Sequence, residues 1–311
     1  MQQQSLPSYV DARLQQQLDT AIASLVQECG ASAGHPGIHP DTLAVTAIDL
    51  GQQPAAWAHY RGNELIYPAS IIKLFFLAAS YIWEDAGRLT HSAELDRARR
   101  AMIADSSNDA TSLIVDLLTG TTSGPELTPS AFQLWQNRRN TLNHYFHRLG
   151  LPGNFCQKTW TDGPYGRDRQ SYKWGSGNRN ALTTNGTAWL MHAIVAGQVV
   201  NPERSRQMLE LMERDLNPST YTDDPDNQIQ GFFGEALPHS ARLWSKAGET
   251  SFSRHDCALV QLPEQTPYIL VAFGDGPDYF NNWSWLPTLS RLWMEHTCPL
   301  KTAPSSRENP T

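Results

Sequence analysis

Tyr67-Pro-Ala-Ser-Ile-Ile-Lys-Leu-Phe-Phe76 is the stretch from which the rest of the chain is most readily understood. Pro68 has a fixed backbone angle and no N–H to donate, which suits the first turn of a helix. The apolar run Ile71, Ile72, Leu74, Phe75, Phe76 and Leu77 predicts a buried helix. Ser70 then falls at or near its N-terminus, and Lys73 lies three residues on, along the same face. A hydroxyl at the positive end of a helix, beside an amine packed among apolar side chains, is the layout of an activated nucleophile. Burial disfavours the ammonium and frees the amine to act as a base. Taken alone the segment is equally a capped helix with a solvated lysine.

Outward from this helix, residues 12–29 carry helical spacing through Leu14, Leu18, Ile22 and Leu25. Residues 30–41 read as a loop, and Leu43–Leu50 and Ala55–Tyr60 as paired strands. Helices are predicted near 92–104, 107–118, 128–149, 183–196 and 203–214. Residues 150–182 are rich in Gly, Asn, Arg and aromatics without either period, and a loop of that length is usually functional. Residues 215–239 are loop-like. Strand candidates follow at Ala241–Lys246, Asp256–Leu262 and Tyr268–Phe273, then an amphipathic helix at 283–296. The expected fold is a two-lobed α/β chain of the α+β type. Five antiparallel strands drawn from both ends of the chain form one sheet flanked by the terminal helices, and the central helices form a second lobe. In residue terms this is one catalytic domain over 12–298, with an α/β lobe of 12–66 and 215–298, a helical lobe of 67–214, and tails at 1–11 and 299–311. A cleft between the lobes is the natural place for a site.

Composition narrows the function classes. The chain has 311 residues, 40% hydrophobic and 18% charged, which is globular. Its formal charge, 24 − 31 = −7, and the lack of a Lys/Arg-rich run argue against a nucleic-acid partner. No apolar run reaches membrane-spanning length. The start, Met1 to Tyr9, has neither a basic nor an apolar leader region. That reads as cytoplasmic if Met1 is the native start, and as periplasmic or secreted if a leader has been removed. Cys29, Cys156, Cys257 and Cys298 match no zinc or redox spacing and read as reduced, with one disulfide left open. His144 and His147 share a helix face without a third ligand, and His35 and His39 sit in a Pro/Gly loop, so no metal or cofactor is expected. The chain is expected to be a monomer acting on a small-molecule or peptide-like amide or lactam.

Two further segments fall where the cleft would be: Ser106-Ser-Asn108, between Met102-Ile-Ala-Asp and a helical run, and Lys246-Ala-Gly248, after the strand Arg242-Leu-Trp-Ser. Ser106 can relay a proton between Lys73 or Lys246 and a leaving amine. Asn108 can hold an acyl-side amide, and Lys246 can orient Ser106 and attract a carboxylate. Gly248 leaves room for a substrate along the strand edge. The N–H groups of Ser70 and Glu249 can form an oxyanion hole. Alone, Ser-Ser-Asn is a helix N-cap and Lys-Ala-Gly a strand end. Together and in this order the three segments are far more specific.

With these segments, from Leu43 to the last helix, the chain resembles the class A β-lactamase-like serine hydrolases. Leu43-Ala-Val-Thr-Ala-Ile-Asp-Leu resembles the family's strand before the nucleophile, and Gln228-Ile-Gln-Gly-Phe-Phe-Gly-Glu-Ala-Leu-Pro its approach to Lys-Thr-Gly. The resemblance implies a β-lactamase/transpeptidase-like fold and an acyl-enzyme on Ser70, with Lys73, Ser106 and Lys246 as catalytic partners. Three departures stand out. The family's omega-loop Glu, which activates the deacylating water, has no counterpart between Glu126 and Glu203. Asp162 is the better substitute and Asp168 the poorer; the bland alternative pairs such a carboxylate with Arg167 or Arg169. Ala247 stands for the usual Thr, and Arg254 is then either a replacement carboxylate-binding guanidinium or a surface residue. Ser107 stands for the usual Asp. The expected activity is acylation of Ser70 by amides or lactams with slow β-lactam hydrolysis. Action on a non-lactam amide or ester, and a non-catalytic binding role, remain as alternatives.

Overall fold

The computed structural model describes residues 10–30, 37–175 and 177–297. In chain order its elements are α1 (Ala12–Cys29), β1 (Leu43–Asp49), β2 (Ala56–Tyr60), α2 (Ile72–Asp85), α3 (Ala93–Ile103), α4 (Asn108–Thr119), α5 (Pro129–Arg139), α6 (Thr141–Arg148), α7 (Gly166–Tyr172), α8 (Thr184–Val195), α9 (Pro202–Met212), β3 (Glu213–Arg214), α10 (Pro218–Tyr221), β4 (Arg242–Thr250), β5 (Ser253–Gln261), β6 (Tyr268–Asp275), α11 (Pro277–Asn281) and α12 (Trp285–Thr297). His35, Cys298 and the tail at 299–311 lie outside the described residues. Asp11, read as tail, instead caps α1 by accepting from the Leu14 N–H at 2.8 Å.

Strand alternation organises the core. Leu43, Val45 and Ala47 of β1 join one apolar cluster, while Ala44 and Ile48 join the other. Such period-two division is what a sheet buried on both faces requires. The same division runs through β6, where Ile269, Val271 and Phe273 face one way and Leu270 and Ala272 the other. One face is covered by α1 and α12, through Leu14, Leu18, Leu289 and Trp293. The other packs on α2 and α8. Eleven of the fourteen residues of α2 are buried, so this is a core helix and not a surface one. Each fully enclosed Leu or Phe in it contributes about 1.5–3 kcal/mol.

The strands form one antiparallel sheet in the order β2-β1-β6-β5-β4-β3. Among the described residues the sheet has six strands and not the expected five. The extra one, Glu213–Arg214, was expected to end the helix of 203–214. Instead α9 stops at Met212 and the chain turns extended beside Trp244 and Leu243 of β4. Two residues are too short to show an alternating pattern. Because β3 is so short, the edge of β4 beyond Ser245 is left unpaired on that side.

Two other expectations shift. The helix expected over 128–149 is two helices, divided at Asn140. The Asn140 side chain accepts from Asn143 at 3.1 Å and from Gln136 at 3.4 Å, local bonds of the kind that favour helix ends over helix interiors. The segment 150–182 contains the short helix α7. Cys29, Cys156 and Cys257 are buried free thiols. No described helix is long and apolar enough to cross a membrane.

Candidate active site

Ser70 sits in a single 3-10 turn, Ala69–Ile71, that leads into α2. Ala69, directly before it, has φ +46°, a left-handed conformation costly for a residue with a Cβ. The turn is closed by Ile71 N–H donating to the Pro68 carbonyl at 3.0 Å. The Ser70 N–H belongs to the donors that a helix start leaves without an intrahelical partner. Gly248 of β4 passes close by. A Cβ built there would lie 2.9 Å from the Pro68 carbonyl oxygen and 3.0 Å from the Ser70 and Ile71 nitrogens. Only a glycine lets the strand edge come this near the turn.

Lys73, one helical turn on, is fully buried. Its Nζ contacts the Ser106 carbonyl, the Ser106 Oγ at 3.1 Å and Asn108 Oδ1 at 2.9 Å. Burial lowers its pKa to about 7. Ser106, between α3 and α4, has φ +53°. Two residues with a Cβ held in the left-handed region at one cleft are the kind of local strain that collects at functional sites. Ser107 caps α4 by accepting from the Ala110 N–H at 3.2 Å. The cap reading of Ser-Ser-Asn therefore holds for Ser107 and leaves Ser106 free for the lysines. Asn108 is committed to Lys73 through its oxygen, and its amide donates to Thr161 Oγ1 at 3.2 Å.

Strand alternation places Lys246 and Gly248 on the same face as α2, and Lys246 reaches Ser106 from the opposite side. Its Nζ lies 3.0 Å from Ser106 Oγ, 2.6 Å from Gln228 Oε1 and 2.8 Å from the Ala247 carbonyl. Burial, with Lys73 and Arg214 close by, pushes its pKa well below the ordinary lysine value. Ser106 Oγ thus bridges two buried lysines, both biased toward the neutral amine. Ala247 N–H donates to Gln228 Oε1 at 3.0 Å, away from β5. By strand alternation the Glu249 N–H points the same way, along the open edge beside the Ser70 turn.

Sequence reasoning gave no role to Gln228 or Arg214. Gln228 accepts from Lys246 and from the Ala247 N–H, and its amide donates to the carbonyls of Ile103 and Ala104 at 3.1 and 2.8 Å. Arg214 donates to Ile103, Ala104 and Ser245 carbonyls. These two side chains tie the Ser106 loop to β4. Nothing local marks them; only the quoted approach segment contained Gln228.

Two expected positions fall differently. Arg254 is neither on the surface nor in the lining of the cleft. It faces Glu249 across the β4–β5 ladder, is fully buried, and forms a 2.7 Å ion pair with Glu249, close in distance though not aligned as a hydrogen bond. Trp283 covers its guanidinium at 4.2 Å. Asp162 is exposed and stays out of the cleft lining, to which its neighbour Thr161 contributes. The expected pairing of the loop carboxylates with Arg167 or Arg169 is also absent. Asp168 is buried against Arg139 at 3.1 Å, Arg169 pairs with Glu126, and Arg167 donates to the Pro125 carbonyl.

Ser70, Ser106, Asn108, Lys246, Ala247, Gly248 and Glu249 line one cleft of about 310 Å³, with Asp105, Asp226, Thr161 and Phe232. The Ala247 methyl belongs to the cluster on the far face of the sheet, so this residue meets the cleft only at its edge. His147 is engaged by the Gly153 carbonyl at 2.8 Å. Among the described residues no three His, Cys, Asp or Glu gather in a metal-binding arrangement.

Comparison with known proteins matches residues 18–296 to the beta-lactamase enzyme family. No curated protein sequence matches. Among solved structures, a beta-lactamase from Sphaerobacter thermophilus DSM 20745 is similar at 16% identity and TM-score 0.63, over 91% of this chain and 97% of the other. PBP-A is similar at 18% identity and TM-score 0.62, over 93% and 97%. A mutant of PBP-A, solved as an acyl-enzyme complex with penicillin G, is similar at 17% identity and TM-score 0.62, over 93% and 97%. At these identities the likeness speaks to the fold.

Proposed function

The chain belongs to the beta-lactamase enzyme family, and from that premise we propose that it is a serine hydrolase that forms an acyl-enzyme on Ser70. Lys73, as the neutral amine, takes the Ser70 proton while Oγ attacks the carbonyl of an amide or lactam. The N–H groups of Ser70 and Glu249 receive the developing oxyanion. The C–N bond breaks as Ser106 passes its proton to the leaving nitrogen, and Ser106 is reprotonated from Lys73, with Lys246 holding its hydroxyl. The observation that carries this reading is the bridging of Ser106 Oγ by Lys73 at 3.1 Å and Lys246 at 3.0 Å. A solvated capping lysine would have no such partners.

Release of the acyl group is the slow half. The loop of 150–182 brings a hydroxyl, Thr161, to the cleft and no carboxylate. A hydroxyl is too weak a base to activate water at neutral pH. Incubation with a penicillin or a chromogenic cephalosporin, followed by intact mass over time, tests this. A long-lived adduct, absent in Ser70→Ala, is expected. Fast turnover that depends on Asp162 would overturn the slow-release part. A neutral serine-reactive ester that labels neither form would leave a non-catalytic binding role. Labelling by the ester without any lactam adduct would favour the second reading, a hydrolase of non-lactam amides or esters. One observation supports that second reading: Asp105, Asp226 and Glu249 put three carboxylates in the cleft lining.

A further inference from the structure

Among the described residues, the lining of the cleft beside Ser70 holds three carboxylates and one cationic side chain, Lys246, which is engaged by Ser106 and Gln228. Glu249, Asp105 and Asp226 line it. Neither Asp105 nor Asp226 forms an ion pair within 4 Å among the described residues, and Asp105 has Arg214 at longer range. The cleft continues into a second depression of about 440 Å³, which shares Asp105, Asp226, Asn227 and Gln228 and adds Glu213, Asp215, Asp224 and one cation, Arg214. Of the cations nearby, Lys73 and Lys246 are sealed against Ser106. Arg214 donates to backbone carbonyls on the side of the second depression, and its charge is set against Asp105 and Asp256. The remaining cation, Arg254, stands behind Glu249, within 2.7 Å of its carboxylate and enclosed by Trp283 and Phe232. The Glu249 side chain is 46% exposed. A substrate at this end of β4 therefore meets the carboxylate before the guanidinium.

Resting on the acyl-enzyme reading above, we infer that Glu249 is a specificity-determining residue. By capturing Arg254 and holding its own half-exposed carboxylate at the edge of the cleft, it turns the site against substrates with an anionic group beside the scissile bond. It favours neutral or amine-bearing amides and esters.

The register makes this a built feature. Glu249 and Arg254 are direct cross-strand partners in the β4–β5 ladder, so their side chains leave the sheet on the same face; that is the face of Ala247, opposite Lys246 and Gly248, and it meets the cleft at its edge. The same strand position supplies an oxyanion donor through its backbone and a charge filter through its side chain. Replacing Glu249 by Gln removes one negative charge from the lining and leaves Arg254 with only the more distant Glu235 as counter-charge.

Three matched acylating esters test the inference, identical except for one group near the reacting carbonyl: carboxylate, carboxamide or ammonium. Their second-order rate constants for adduct formation on Ser70 are read by quenched intact mass. In the wild type the carboxylate ester is expected to be slowest and the ammonium ester fastest. The carboxylate rate should rise between low and high salt while the carboxamide rate holds, since added salt screens repulsion. In Glu249→Gln, and again in Glu249→Ala, the carboxylate-to-carboxamide ratio is expected to rise roughly tenfold. Adding Arg254→Met to either variant should remove that gain. Equal rates for all three esters in the wild type at low salt would overturn the inference, as would a ratio that neither variant moves. The salt series needs no variant, so it stands even if a substitution unsettles the fold. If no ester labels Ser70, the acyl-enzyme reading fails on its own. The filter is then read by equilibrium binding of the three corresponding stable amides to Ser70→Ala, where the carboxylate amide binding as tightly as the ammonium amide would overturn it.

Discussion

Ser106 is the residue on which the chemistry turns, because one hydroxyl oxygen is shared by two buried amines. Two ammonium ions on one oxygen repel each other in a low-dielectric site, so the arrangement is most stable with at least one lysine neutral. Lys73, with its pKa lowered to about 7, is the one that titrates within the physiological range. Its folded pKa lies below the ordinary lysine value, so the neutral base gains population as pH rises through 7. The acylation rate constant of Ser70 should therefore climb by about a factor of ten per pH unit below 6 and level off above 8. Lys73→Arg, which stays protonated, should lose that rise and at least about 100-fold in rate. Pre-steady-state adduct formation across pH checks both; a flat wild-type profile would remove Lys73 as the base. Ser70, Lys73, Ser106 and Lys246 were legible in the sequence because each sits in a short segment whose residue types carry the chemistry. Gln228 and Arg214 were not, since each acts through backbone carbonyls brought near by the fold. The pairing of Arg254 with Glu249 was not legible for a related reason: strand register decides which side chain it faces.

β4 contributes more than Lys246 to the site, because its open edge must lie against the Ser70 turn. Gly248 sets that distance. Alanine there would put a methyl 2.9 Å from the Pro68 carbonyl and 3.0 Å from two backbone nitrogens, none of which can swing away. Either the strand or the turn must shift, and a displacement of about 1 Å at a catalytic centre costs on the order of 100-fold in rate. The stability cost of such overpacking is smaller, about 1–3 kcal/mol. Gly248→Ala is therefore expected to fold, melt a few degrees lower and acylate at least about 100-fold more slowly. Thermal unfolding run beside adduct kinetics separates the two; an unimpaired rate would mean the close approach is not needed. At this scale the sequence was most readable where an element has a strong period. β1 lies in the strand-like stretch that pairs around Gly51-Gln-Gln-Pro54, and α2 in the apolar run after Ser70. β3 escaped notice because two residues have no period, and the break between α5 and α6 because Asn140 interrupts a helical pattern that resumes at once.

Across the whole molecule, the sheet joins the two ends of the chain, with β1 lying between β2 and β6. The helical part is held to it through α2 and α8, while the long segment of 150–182 packs by other means. Four charges fasten that segment. Lys158 pairs with Asp116 of α4 at 2.7 Å, and Asp168 of α7 pairs with Arg139 of α5 at 3.1 Å. Arg139 also lies 3.5 Å from Asp116. Asp168 and Arg139 are fully buried, so the quartet is two positive and two negative charges balanced largely out of water. Such a pair adds little relative to an apolar replacement, yet removing one member leaves a buried charge uncompensated, at about 3–5 kcal/mol. Asp168→Asn should accordingly lower the melting temperature by about 5–8 degrees. Faster hydrogen exchange is expected over 150–182 and at the start of α4, where Asn108 contacts Thr161. The double change Arg139→Met with Asp168→Leu removes both charges and should recover much of the loss. If the single and double variants melt alike, the quartet is not what fastens the segment, and the packing of Phe155 against Phe75 and Phe146 would have to carry that role.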